Sequence, residues 1–161
     1  MKQKKALHGT ILDFNEMKAL LTPEFRRTKK IVFTNGCFDI LHSGHIHYLK
    51  KAAEMGDILI IGLNSDESVS RLKGPERPVN SQSDRAAMLT ALRMVDYVVI
   101  FDDDTPLNLI TMVKPDFLVK GGDYKPEQIA GYDVVTKNGG KVVTIPLLKG
   151  YSSSSIISRM K

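Results

Sequence analysis

The chain has few of the features that would classify it at once. A single cysteine, Cys37, stands in 161 residues, so no internal disulfide can form and a fold stapled by disulfides is excluded. No apolar run approaches the ~18 residues of a membrane-spanning helix, which excludes an integral helical membrane protein. There is no internal repeat, no low-complexity tract beyond "SSSS" at 152–155 and no linker that would split the chain. One domain is expected, since length divided by ~150 is a fair prior on domain count. Clustered positive charge is also scarce. Lysine and arginine exceed acidic residues by 23 to 18, giving a net charge of +5 and a pI near 9.3, yet only "MKQKK" at the start and "RRTKK" at 26–30 are runs. A nucleic-acid-binding face needs more of a stripe than that, and a mildly basic field suits anionic small molecules. The basic start leads into His8, Gly9, Asp13 and Asn15 rather than an apolar core. No secretory signal is therefore expected, and the expected location is the cytoplasm.

What is present is an ordinary globular composition, 42% apolar and 25% charged, with a regular layout. Unbroken, β-branched apolar runs recur as "KIVF" (30–33), "DILIIGL" (57–63), "YVVIF" (97–101), "DFLVKG" (116–121) and "KVVTIP" (141–146), the pattern of strands buried on both faces. Between them lie residues at helical spacing, among them Ile46, Leu49 and Ala53, then Leu107, Ile110 and Val113, then Ile156, Ile157 and Met160. Repeated β-α alternation implies a parallel sheet with helices on both faces. The expectation is an α/β, Rossmann-like, doubly wound sheet of five parallel strands in three αβα layers, occupying 29–161. Residues 1–28 read as an N-terminal helical extension, with Asp13 capping a helix through Leu21 that stops near Pro23. In such sheets ligands sit beyond the carboxyl ends of the strands, where strand order reverses. Residues 34–45, 64–74, 120–124 and 150–155 leave such ends and can converge on one crevice.

The densest chemistry is in "TNGCFDILHSGH", residues 34–45. Gly36 allows a tight turn after the first strand, and a helix begins at Gly44; strand, small-residue loop and helix N-terminus together make an anion site. His42 and His45, three apart, lie on one face and can reach the same phosphoryl group, donating hydrogen bonds to oxygens whose charge grows in a transition state. Other readings stay open on spacing alone. The two histidines with Asp39 could ligate a metal, Cys37 could be a thiol nucleophile activated at the helix start, or the histidines could simply cap and pack. His47 faces away and reads as surface.

These residues resemble the signature of the nucleotidylyltransferase superfamily of the cytidylyltransferase type, with "HSGH" where that family has His-x-Gly-His. The resemblance continues through "GLNSDESVSRLKG", "RPVNSQSDRAAMLTALRMVDYVV", "PDFLVKGGDY" and "GYSSSSII". Within the superfamily, "TNGCFDILHSGHIHYL", "LVKGGDY" and "RPVNSQSDRA" look most like the stand-alone form of the adenylyltransferases that make ADP-heptose for lipopolysaccharide precursors from D-glycero-D-manno-heptose 1-phosphate and ATP. The resemblance implies catalytic roles for His42, His45 and Lys73. It implies nucleotide contacts for Cys37, Phe38, Arg85, Gly121, Gly122, Asp123, Tyr124, Ser152, Ser153 and Ser154, and acceptor contacts for Asp39 and Lys73. Mg²⁺ accompanying ATP, no resident metal, a sugar 1-phosphate partner and a homodimer are expected on the same ground. Glycerol-phosphate cytidylyltransferases carry "RTEGIST" before the last helix; here "LLKGYSS" puts Leu147 where their arginine stands, which argues against that acceptor.

Taken residue by residue, several of these positions also make sense without the resemblance. Lys73 beside Gly74 and Pro75 offers a point charge to a polyphosphate, although a solvated surface lysine is the commoner fate. Arg85 follows Asp84, which reads as an N-cap, so a helix-surface ion pair is the plain alternative. Two glycines in "KGGDY" let backbone approach a base or ribose, and four serines before the last helix exceed what a cap needs. "FDDDT" at 101–105 reads as opening the next helix. Alternatives to the heptose reaction are transfer to another phosphorylated acceptor such as glycerol 3-phosphate, a metal-dependent phosphohydrolase built on His42, His45 and Asp39, or a non-catalytic nucleotide-binding module.

Overall fold

The computed structural model describes residues 8–161. All five expected strands are there: β2 (Ile31–Gly36), β3 (Ile58–Asn64), β4 (Tyr97–Phe101), β5 (Phe117–Gly121) and β6 (Lys141–Ile145). A sixth, β1 (Thr10–Leu12), precedes them, and the count of five is corrected accordingly. β1 pairs in parallel with the edge of β4, Thr10 opposite Tyr97. With three residues and Ile11 45% exposed, it is too short and too little buried to leave a periodic signature.

The sheet is parallel throughout, in the order β1-β4-β3-β2-β5-β6. From β2 the chain builds outward through β3 and β4, then returns to lay β5 and β6 on the other side. Strand order therefore reverses between β2 and β5, the crevice where such sheets bind ligands.

Period-2 alternation divides the strand residues between two cores. Val32, Leu59, Ile61, Val98 and Val119 face one layer, packing with Tyr48, Leu49 and Ala52 of α3 (Ser43–Ala53) and Ala86 and Leu89 of α5 (Gln82–Ala91). Ile31, Phe33, Ile60, Val99 and Leu118 face the other, against Met17 of α1 (Phe14–Leu20), Leu109, Ile110 and Val113 of α6 (Leu107–Val113), and Val135 of α7 (Tyr132–Lys137). Each such Val, Leu, Ile, Phe or Met side chain contributes ~1.5–3 kcal/mol on burial, so the sandwich, rather than helix propensity, holds these short helices.

The helix starts follow local chemistry. Asp13 caps α1 in a full capping box with Glu16, and Thr22 caps α2 (Pro23–Thr28), with Pro23 at its first turn. Ser65 caps α4 (Asp66–Lys73). Ser81 rather than Asp84 caps α5, its Oγ accepting from the Asp84 N–H at 3.2 Å. Residues 102–104 precede α6, which starts only after Pro106. There Asp102 takes the Ser65 hydroxyl and Asp104 the Arg71 guanidinium. Ser152 caps the last helix, α8 (Ser153–Met160). Among the described residues no helix is long and apolar enough to cross a membrane.

Candidate active site

The cavity at the reversal point, of about 580 Å³, is within the size range of small-molecule sites. Its floor is the end of β2 and β5: Asn35, Gly36, Lys120 and Gly121. Buried Tyr48 fastens that floor, donating to the Val119 carbonyl at 3.0 Å and hydrogen-bonding the Thr34 hydroxyl. It thereby joins the two strands that the ligand must straddle. Burial pushes its phenol up to about 12.

From β2 the chain turns through Phe38, whose φ of 47° is left-handed for a bulky residue. Such outliers persist where the surroundings over-determine them. Here the ring folds back over Gly36, whose absent Cβ would stand 3.0 Å from it, and tilts against His45 at 5.3 Å.

The two histidines cap α3 themselves. His42 Nδ1 accepts the Gly44 N–H at 3.1 Å, and His45 Nδ1 accepts the His42 N–H at 3.3 Å. The rings stack with centroids 3.9 Å apart. With each Nδ1 used as an acceptor, the proton of each neutral ring sits on Nε2, leaving two N–H donors for the cavity. Burial lowers the His42 pKa, and burial together with the neighbouring ring takes His45 down to about 4. At neutral pH both rings are uncharged donors. Gly44 is fixed by this packing: a Cβ there would stand 2.9 Å from the His42 ring and 3.0 Å from Tyr151.

Most of the residues expected from the sequence line this space: Cys37, Phe38, Asp39, His42, His45, Lys73, Gly121, Ser152, Ser153 and Ser154. Lys73 closes α4 at the rim and is exposed. Ser153 ties the far wall to the opening loop, its Oγ donating to the Ile40 carbonyl at 2.8 Å.

Two residues play other parts than expected. Arg85 is fully buried, its guanidinium donating to the carbonyls of Asn80, Cys37 and Asn64 at 2.8–3.0 Å and to Asp66 at 2.8 Å. It does not line the cavity, and these bonds brace from beneath the segments that carry Cys37, Asn64–Asp66 and Asn80. Asp39, also buried, receives Arg77 Nε at 2.7 Å and the Val79 and Asn80 N–H groups at 2.9 Å. Burial raises its pKa, but those N–H bonds and Arg77 outweigh that and hold the carboxylate below its ordinary range. With its lone pairs so committed, Asp39 anchors residues 77–80 and is not free to join the histidines on a metal.

Of Gly121, Gly122, Asp123 and Tyr124, only Gly121 lines the cavity. Gly122, Asp123 and Tyr124 form the turn beyond it, where Gly122 (φ 112°) donates its N–H to the Ile145 carbonyl at 2.9 Å and Tyr124 is exposed. Cys37 is half-buried, and burial raises its pKa against the pull of Lys73, Arg85 and Arg77. A protonated thiol is a poor nucleophile. Sequence reasoning passed over Arg77, Lys120, Asn35 and Tyr151, all of which line the cavity. A lysine near the end of an otherwise apolar strand was the available signal for Lys120; the others had none.

Nothing here resembles covalent machinery. Imidazole donors, a helix N-terminus and basic side chains gather around one space, which is the equipment for holding and neutralising phosphates. Comparison with known proteins gives the family: the cytidylyltransferase-like family model matches residues 33–159, and the chain belongs to that family. Among curated relatives, the bifunctional protein HldE of Campylobacter concisus is 60% identical over 133 residues, 83% of this chain and 27% of that protein. The HldE of Coxiella burnetii is 52% identical over 160 residues, 99% of this chain and 34% of its own length. The chain thus spans about a third of the curated relatives it matches. Among solved structures, a lipopolysaccharide core biosynthesis protein from Thermoplasma volcanium aligns with a TM-score of 0.60 at 30% identity, covering 77% of this chain and 99% of that one. A pantoate-beta-alanine ligase from Francisella tularensis, at 17% identity and a TM-score of 0.59 over 92% of this chain and 76% of its own, shares the fold.

Proposed function

We propose that this domain transfers the adenylyl group of ATP to D-glycero-D-manno-heptose 1-phosphate, giving ADP-heptose and pyrophosphate for lipopolysaccharide precursors. The observation that carries the chemistry is the pair of self-capping histidines, two neutral Nε2–H donors fixed at the N-terminus of α3. The acceptor is supported by "TNGCFDILHSGHIHYL", "RPVNSQSDRA" and "LVKGGDY", by identity of 52–60% to the HldE proteins, and by the likeness to a protein of lipopolysaccharide core biosynthesis.

The sugar phosphate oxygen attacks the α-phosphorus in line. The bond from that phosphorus to the oxygen shared with the β-phosphate breaks, and pyrophosphate leaves with the electron pair. Such a reaction is mostly positioning and charge neutralisation. His42 and His45 donate to the α-phosphate. Lys73 and the free end of Arg77, whose Nε is held by Asp39, draw in phosphates at the rim. Ser152–Ser154 and the N-terminus of α8 hold the tail of the nucleotide. Mg²⁺ would enter with the nucleotide substrate and offset the charge of its phosphates. The protein works in the cytoplasm as a homodimer, by analogy with relatives, and light scattering in solution reads the latter.

A matrix of four nucleoside triphosphates against heptose 1-phosphate, glycerol 3-phosphate and pantetheine phosphate, read by pyrophosphate release, tests the assignment. Release that requires ATP and the heptose phosphate together is expected. Release only with another pair would overturn the acceptor, and orthophosphate release without any acceptor would overturn transfer itself.

A further inference from the structure

Beside the two uncharged histidines, three cationic side chains line the cavity: Lys73, Arg77 and Lys120. Lys73 stands exposed at the rim, and Arg77 has its counter-ion in Asp39 at 2.7 Å. Lys120 differs from both. It is the penultimate residue of β5, is half-buried, and its ammonium donates to Asn35 Oδ1 at 3.2 Å. Among the described residues it pairs with no carboxylate. Burial holds its pKa below that of a free lysine. A partly desolvated ammonium without an anion weakens the fold that contains it, so its place in the floor of the site is explained by a charge that arrives with the ligand.

Which charge follows from topology. Lys120 lies where β5 meets β2, beside the loop from which α3 starts, while Lys73 follows β3 on the other flank of β2. A phosphate held at the α3 N-terminus rests over the floor; phosphates further along the substrates lie toward the rim. We propose that Lys120 is a further catalytic residue, whose ammonium holds a non-bridging oxygen of the α-phosphate from the side opposite Lys73. This rests on the nucleotidyl-transfer reading above. As the acceptor oxygen bonds to the α-phosphorus and pyrophosphate departs, negative charge on those oxygens is met by a cation already in place. Lys120 keeps its proton throughout.

The test compares Lys120→Met, Lys120→Gln and Lys120→Arg with the parent, by pyrophosphate-release kinetics and by the rise in Tm on adding MgATP. Gln can keep a hydrogen bond to Asn35 should Met fail to fold. The neutral variants are expected to unfold no lower than the parent without ligand, to lose most of the MgATP-induced rise, and to lose about 10²–10³-fold in kcat. The KM for the sugar phosphate should stay within about threefold, with Arg recovering at least about tenfold of the lost turnover. Turnover and MgATP rise both unchanged in the neutral variants would overturn the role while leaving nucleotidyl transfer intact. A change confined to the acceptor KM would overturn it too, moving Lys120 to the other substrate. If the parent releases pyrophosphate with no substrate pair, the functional reading fails. Lys120 is then judged by the MgATP rise alone, which sustains the role if lost in the variants and overturns it if equal in all or absent from the parent.

Discussion

Helices α3 and α8 aim their N-termini into the same cavity, each capped by a side chain, but they are anchored very differently. The first turn of α3 is stapled by His42 and His45, its body buries Tyr48, Leu49 and Ala52, and the loop leading into it hangs from Arg85 through the Cys37 carbonyl at 2.8 Å. By contrast, α8 buries no residue at all. Its ties are its own Ser152 cap, the Ser153 bond to Ile40 at 2.8 Å and an exposed Lys161–Glu76 pair at 3.2 Å, a pair worth little in water. The same anion-binding device is thus set once in a rigid wall and once in a yielding one. Chemistry at the α-phosphorus needs reacting atoms placed to within fractions of an ångström; gripping the end of a polyphosphate tolerates a wall that adjusts.

The contrast is broken most forcefully from below. Arg85→Met leaves the Cys37, Asn64 and Asn80 carbonyls and Asp66 without their shared donor. It should lower stability by about 3–5 kcal/mol in denaturant unfolding, with activity lost through the α3 side; a change under about 1 kcal/mol would mean the loops hold themselves.

Next in size, His42→Ala and His45→Ala should each cut kcat by about 10²–10³-fold. Turnover within about threefold of the parent would remove the histidines from the reaction.

On the yielding side, Ser152→Ala should cost about 1 kcal/mol locally. That loss is read as roughly fivefold faster amide exchange over the first turn of α8, with the global Tm unmoved because no residue of α8 is fully buried. A cooperative fall in Tm would show that α8 belongs to the core after all.

The smallest effect is one of pH. An unfolded histidine gains its proton near 6.5, whereas folded His45 holds off to about 4. Between those values the unfolded chain binds more protons. The contribution to stability is therefore complete above about pH 6.5 and shrinks as pH falls toward 4. For the same reason His45 should add no inflection to kcat between about pH 6 and 8, and an inflection there that disappears in His45→Gln would contradict an uncharged donor at that position.

The rigid half was also the legible half. Strands β2 to β6 announce themselves as unbroken apolar runs because both faces of a parallel sheet are buried, and the glycines and histidines of 36–45 sit where such a sheet turns into a helix. Other features were illegible for definite reasons. β1 is too short and exposed to show a period. The roles of Arg85 and Asp39 depend on which backbone groups long-range packing brings to them: Asp39 meets residues 77–80 some forty positions away. Lys120 was visible as a charge at the end of an apolar strand, but its lack of a carboxylate partner exists only in three dimensions.

Position 42 shows what the self-capped helix entails. Asp, Asn or Ser would cap α3 at least as well as the imidazole, and each would deprive the cavity of a neutral donor, Asp also setting a negative charge where a phosphate must lie. Selection for a sturdier fold and selection for turnover therefore pull this codon in opposite directions. Repacking for thermostability will be tempted to replace His42 first, and a hardened, inactive protein is what that choice should yield.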